Sequence, residues 1–205
     1  MKISKTVTAY FATNCYMLEN DESAIVIDPG EFTPELVEFA KRNKDKNKRA
    51  ILLTHCHFDH IAGVEELKLL FDAKVYISSV DANGLEDPQI NVSDFLTGNS
   101  FKISADEFLK DNDVLQFGCD KIKVMHTPGH TAGSVCFIME DVIFSGDTLF
   151  RMNIGRYDLP TSNPMQLLES LNRIKRLKGN YTVYAGHGEE TMLDFERENN
   201  PYLRD

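Results

Sequence analysis

Thr54-His55-Cys56-His57-Phe58-Asp59-His60 sets four side chains able to bind metal within six positions. The apolar run at residues 50–54 has the length and composition of a buried strand, and beyond the histidines apolar residues recur at helical spacing over residues 64–71. The local unit is therefore strand, polar loop, helix. From such a loop His55 and His57 can converge on one point while Asp59 and His60 turn toward a neighbouring one. So short a backbone cannot wrap tightly enough to complete a tetrahedron from all four, so two adjacent metals suit the stretch better than one.

The rest of the chain repeats this context. His130 stands in Thr127-Pro128-Gly129-His130-Thr131 after a strand at residues 122–126, Asp147 in Ser145-Gly146-Asp147-Thr148 after one at 142–144, and His187 in Ala185-Gly186-His187-Gly188 after one at 182–185. Each follows a glycine, which lets the backbone turn sharply and bring the ligand in close. A single His or Asp at a strand end is more often a cap or a satisfied polar group, but the density of the whole set has no packing use and reads as a metal site. His126, at the end of a strand with no partner motif, reads as a structural or outer residue.

Further out, strands are expected at residues 13–18 and 24–27, the second running into Asp28-Pro29-Gly30. Thr33 and Pro34 open a helix, and the cationic run 41–49 reads as its solvated end and the following loop. A strand is expected at 75–78. Residues 83–113 are polar with little periodicity, the pattern of a long loop that could lie over a site. Strands follow at 114–117, 122–126, 135–139 and 142–144, then a helix over 165–177 with Pro164 at its start and Ser162 or Asn163 as its cap, and a last strand at 182–185. Strands in two batches, each closed by a helix, predict a duplicated sheet-plus-helix unit rather than a doubly wound parallel sheet.

Composition narrows the function. With 205 residues, 42% hydrophobic and 26% charged, the chain reads as one globular domain over 1–205. Lys and Arg total 22 against 32 Asp and Glu, and the formal charge of −10 repels nucleic acid and anionic membrane surfaces. The sequence shows neither an apolar run of membrane-span length nor a signal-like N-terminus, so the expected location is cytoplasmic. Four cysteines without a CxxC pair read as reduced thiols.

Taken together, Ile27-Asp28-Pro29-Gly30, THCHFDHIAG, TPGHTAGS, FSGDTLF with the downstream IGRYDLP, and AGHGEET followed by ENNPYL resemble the metallo-β-lactamase superfamily, and within it the glyoxalase II-like hydrolases. The resemblance implies an α/β fold, a four-layer αβ/βα sandwich with metals at one edge of paired sheets. It also divides the ligands: His55, His57 and His130 for a first metal, Asp59, His60 and His187 for a second, and Asp147 bridging. Asp28 becomes an outer carboxylate that orients the ligand loop, alongside its ordinary turn-forming role. The implied cofactors are two divalent ions, zinc first, with iron or manganese as alternatives.

Two cations about 3.5–4 Å apart can hold a hydroxide between them and neutralise an oxyanion, which suits acyl hydrolysis, with Asp59 orienting the nucleophile. A thiolate with a pKa of about 8.5 leaves with little help whereas an amide nitrogen needs a proton, so the expected substrate is a small-molecule acyl thioester of the hydroxyacylglutathione type. Full-length glyoxalase II carries a C-terminal helical extension that contacts glutathione, and this chain has only a short tail, residues 194–205, in that place. Arg156 sits where the larger enzyme has a basic residue near glutathione, and an ion pair with Asp158 is its competing role.

The superfamily offers rivals. A persulfide dioxygenase would use one iron on His55, His130 and Asp147, all present. Nucleases of the fold add basic arms or domains, and the flavin-linked electron-transfer branch replaces His57 with Glu. A non-catalytic relative would have lost ligands.

Overall fold

Strands such as Ser23-Ala24-Ile25-Val26-Ile27 are buried at every position, so each needs a partner layer on both faces. The computed structural model describes residues 1–204. In chain order the first half comprises β1 (Lys2–Val7), β2 (Asn14–Glu19), β3 (Ser23–Ile27), α1 (Pro34–Arg42), β4 (Lys48–Leu52), α2 (Phe58–Ile61), α3 (Val64–Phe71), β5 (Lys74–Ser78), α4 (Ala82–Glu86), α5 (Ser93–Thr97) and β6 (Glu107–Leu109). The second half comprises β7 (Val114–Phe117), β8 (Asp120–His126), β9 (Val135–Met139), β10 (Val142–Gly146), the short pair β11 (Leu149–Phe150) and β12 (Asn153–Ile154), α6 (Pro164–Lys175), β13 (Thr182–Ala185), β14 (Thr191–Met192) and α7 (Leu193–Asn199).

Two mixed six-stranded sheets result, ordered β1-β2-β3-β4-β5-β6 and β14-β13-β10-β9-β8-β7. The first is antiparallel from β1 to β3 and parallel from β3 to β6; in the second only β10 and β13 run parallel. Period-two alternation sorts the side chains into layers. Tyr16, Leu18, Ile25, Ile27, Ala50 and Leu52 meet Ile122, Val124, Val135, Phe137 and Phe144 between the sheets. Their strand neighbours Cys15, Met17, Val26 and Ile51 face outward onto Leu36 and Phe39 of α1 and Leu67 and Phe71 of α3. On the other side Cys136, Ile143 and Val183 pack on Leu167, Leu171 and Ile174 of α6. Helix, sheet, sheet, helix is the four-layer αβ/βα sandwich that the resemblance implied.

The differences from the sequence reading are local. β1 escapes it because an edge strand with Lys2, Ser4 and Lys5 exposed shows no apolar alternation. Lys48 and Arg49, in the run expected to be loop, open β4. Residues 83–113 hold most of α4, all of α5 and β6, and β6 completes the first sheet; three-residue strands and single-turn helices are too short to show a period. Asn163 caps α6 by accepting from the Met165 and Gln166 amides, whereas Ser162 donates to the His130 carbonyl. The expected short tail, 194–205, holds most of α7, which follows β14 directly and is pinned by buried Glu196, whose carboxylate accepts from Thr191 Oγ1, the Met152 amide and Asn200 Nδ2. Among the described residues no helix is long and apolar enough to cross a membrane. Cys15, Cys56, Cys119 and Cys136 are all free thiols.

Candidate metal centre

The seven expected ligands come together at the edge where the two sheets meet. β4 delivers His55 and His57, and the chain then turns into α2, whose first turn carries Asp59 and His60. From the other half the loop after β8 brings His130, the end of β10 brings Asp147 and the end of β13 brings His187. Three sets have ligand atoms within 4.8 Å of one another: His55 with His57 and His130, His55 with His60 and Asp147, and Asp59 with His60 and His187. Asp147 is the meeting point of the two halves, its carboxylate lying 3.4 Å from His60 Nε2, 3.6 Å from His130 Nε2 and 3.3 Å from His187 Nε2. All but His187 are buried. His126 belongs to none of these sets; its amide donates to Asp111.

Outer partners fix how the imidazoles face. Asp28 accepts from the Thr54 amide and hydroxyl at 2.8 and 2.7 Å, and its Oδ2 lies 2.9 Å from His60 Nδ1. The Thr54 hydroxyl, having given its proton to Asp28, takes one from His55 Nδ1 at 3.0 Å. His130 Nδ1 donates to the Arg156 carbonyl and His187 Nδ1 to the Phe11 carbonyl. With Nδ1 spent outward, these four rings present Nε2 to the centre. His57 differs, its Nδ1 standing 2.9 Å from His130 Nε2. The two glycines that matter most are Gly146, held at φ +48 against Thr54, and Gly186, where an added Cβ would meet Asp147 Oδ1 at 2.2 Å.

Sequence reasoning missed Asp81. This buried carboxylate, just past β5, accepts from the Cys56 amide at 3.1 Å, the Thr131 hydroxyl at 2.6 Å and the Gly133 amide at 2.6 Å. It thereby ties the His55–His57 loop to the His130 loop. A lone Asp three residues beyond a strand, without the Gly that precedes His130, Asp147 and His187, gives no motif to find. Thr13, whose hydroxyl donates to Asp59 Oδ2 at 2.9 Å, is equally silent in sequence.

The electrostatics are divided. Burial, reinforced by the neighbouring imidazoles, holds His55 well below its ordinary pKa and pushes His57 down to about 3. Burial opposes charge on His60 too, but Asp59, Asp147 and Asp28 outweigh it and raise that pKa. Hydrogen bonds that His187 donates to the Asp147 and Asp59 carboxylates likewise overcome burial to lift it to about 9. Burial alone would raise Asp59 and Asp147, yet His60 and His187 hold both below the usual carboxylate range.

These shifts fix the pH dependence of the metal-free chain. Between about 6.5 and 3 the unfolded chain takes up protons that native His57 refuses, so stability falls as pH drops. The contribution of His187 is complete below 6.5 and is lost as pH rises through about 9. Denaturation midpoints of chelator-treated protein should therefore peak near pH 6.5; a midpoint flat from pH 4 to 9 would show that these groups are not held as the geometry indicates.

The donor set fits metal. His55 Nε2, His57 Nε2, His60 Nε2 and Asp147 Oδ1 are buried without a hydrogen-bond partner. Such atoms are costly in a folded interior unless something else satisfies them, and imidazole with carboxylate is the donor set of zinc and iron. A cavity of about 350 Å³ opens onto His57, Asp59, His130, Asp147 and His187, walled by Phe11, Val92, Leu96, Phe150, Ile154 and Leu159. Arg156 also lines it, its guanidinium paired with Asp158 at 2.7 and 3.0 Å.

Known proteins are similar to the chain over nearly its whole length. The model of the metallo-beta-lactamase superfamily matches residues 9–187. A probable metallo-hydrolase of Streptococcus pyogenes is 37% identical over 99% of this chain and 90% of its own. A protein of Haemophilus influenzae named hydroxyacylglutathione hydrolase GloC is 32% identical over 96% of this chain and 95% of its own. Among solved structures, the BLEG-1 B3 metallo-beta-lactamase superposes with a TM-score of 0.91 at 37% identity over the whole of both chains. TTHA1623, crystallised in a di-iron-bound form, superposes at 0.84 and 33% identity, covering 98% of this chain and all of that one. ETHE1 from Myxococcus xanthus superposes at 0.75 and 25% identity, covering 98% of this chain and 84% of that one.

Proposed function

The chain belongs to the metallo-beta-lactamase superfamily as a metallo-hydrolase, and within it we propose a binuclear hydrolase of small acyl thioesters. The lining of the cavity carries this reading. Its titratable side chains are the expected ligands themselves and Arg156, which is committed to Asp158. A departing group there finds no spare acid among the described residues, so a leaving group that needs none is favoured: a thiolate, with a pKa of about 8.5. A lactam nitrogen, the leaving group of the β-lactamase that this chain resembles, must be protonated as it departs. The name of the Haemophilus relative points to the same thioester class.

His55, His57 and His130 would hold one divalent cation, Asp59, His60 and His187 a second, with Asp147 shared between them. Zinc is the first choice, and the di-iron form of a similar protein keeps iron open. Such a pair supplies Lewis acidity and a nucleophile at neutral pH. The chain's own residues do the positioning. Asp28 holds the His60 ring and, through Thr54, the His55 ring; Thr13 fixes the Asp59 carboxylate that orients the attacking group; the apolar walls keep bulk water from the acyl carbon.

The test is a substrate panel on purified, metal-loaded protein: glutathione and coenzyme A thioesters, a lactam, and glutathione persulfide with oxygen consumption recorded. Thioester turnover with two metals per chain supports the proposal. One iron per chain with oxygen uptake would instead favour the persulfide dioxygenase, for which His55, His130 and Asp147 are all in place.

A further inference from the structure

The walls of the site are less polar than its floor. Phe11, Val92, Leu96, Phe150, Ile154 and Leu159 ring the mouth above the ligand cluster. Val92 and Leu159 also line a second cavity of about 530 Å³, which continues outward past Phe95 and Pro160. Phe95, 83% exposed, stands at the outer end of this cavity. Opposite, Tyr10 and Phe11 stack edge-on against Phe58, which follows His57, so the apolar wall is braced on the ligand loop itself.

Charge along this path selects its occupant. The rim carries the negative charge of Asp94, while Arg156 and Asp158 form an ion pair that adds no net charge. The common thiol carriers of acyl groups are polar and anionic, which such a rim repels and such walls do not hydrate. The portion of a thioester that fits is the hydrocarbon of its acyl half.

Resting on the thioester-hydrolase reading above, we infer that this groove binds an apolar acyl chain, running from the metal centre between Val92 and Leu159 toward Phe95. Specificity then comes from chain length rather than from the thiol. Each methylene buried adds about fourfold to kcat/KM until the groove is filled.

The experiment compares acetyl, butyryl, hexanoyl and octanoyl thioesters of one thiol, then octanoyl thioesters of several thiols. In parallel, binding of S-alkyl thioethers of matching length, which cannot be hydrolysed, is measured by calorimetry. The expected result is kcat/KM and affinity rising together with acyl length and nearly indifferent to the thiol. In the Leu96→Asp and Leu159→Asp variants the octanoyl-to-acetyl ratio should fall by at least tenfold. A profile flat in acyl length but dependent on the thiol, glutathione above all, would overturn the groove assignment while leaving thioester hydrolysis intact. Length-dependent binding of thioethers without turnover of any thioester would instead overturn the hydrolase reading and keep the groove.

Discussion

A His57→Ala chain is expected to purify with less metal and no measurable hydrolase activity. His57 belongs to the buried set with His55 and His130, and one of its ring nitrogens makes no hydrogen bond within the fold. Removing an outer partner of a metal ligand costs about 10–100-fold in affinity, and losing the ligand itself should cost more. The same substitution should cost the metal-free chain little, because the His57 ring makes one polar contact, to His130, packs only against His55 and His130 in the ligand cluster, and is held neutral by burial with its pKa pushed down to about 3. Elemental analysis beside urea denaturation of stripped protein separates the two effects. Undiminished metal content and activity would place the centre elsewhere.

Replacing Asp81 by Ala should act in the opposite way, on the fold first and the metal second. Its carboxylate is an acceptor for three donors, and truncation strands the buried amides of Cys56 and Gly133, while Thr131 keeps its contact with Ser134. At 1–3 kcal/mol for each stranded group, the stripped protein should lose about 4 kcal/mol. Asp81→Asn retains the shape but turns an NH₂ toward donors, so it should fall between wild type and Ala. Because Asp81 ties the His57 loop to the His130 loop, metal affinity should also drop about 10–100-fold in the Asn variant, read by competition with a chromophoric chelator. Loss of stability with unchanged affinity would make Asp81 a structural strut only.

The parts of this molecule that sequence reveals are those with a repeated local signature. Strands with short apolar runs followed by ligand-bearing loops recur at β4, β10 and β13, and glycine immediately before His130, Asp147 and His187 marks the tight turns. The core strands, the three longer helices and the convergence of the seven ligands could be read from that pattern. What could not be read depends on contacts distant in sequence. Asp81 matters because it meets residues 25 and 50 positions away. His130 and His187 are oriented by the backbone carbonyls of Arg156 and Phe11, which no residue type announces. Glu196 looks like a surface charge in a tail until Thr191, Met152 and Asn200 surround it. Arg156, picked out by the resemblance, lies at the cavity with its guanidinium on Asp158, and it is its main-chain oxygen that supports a candidate ligand.

Titrating chelator-stripped protein with Zn²⁺ while following hydrolysis of an acyl thioester tests a binuclear thioester hydrolase most directly. Activity should appear only with metal, climb with loading and saturate at two equivalents per chain. Absence of thioester turnover at every loading, or saturation at a single equivalent, would contradict it.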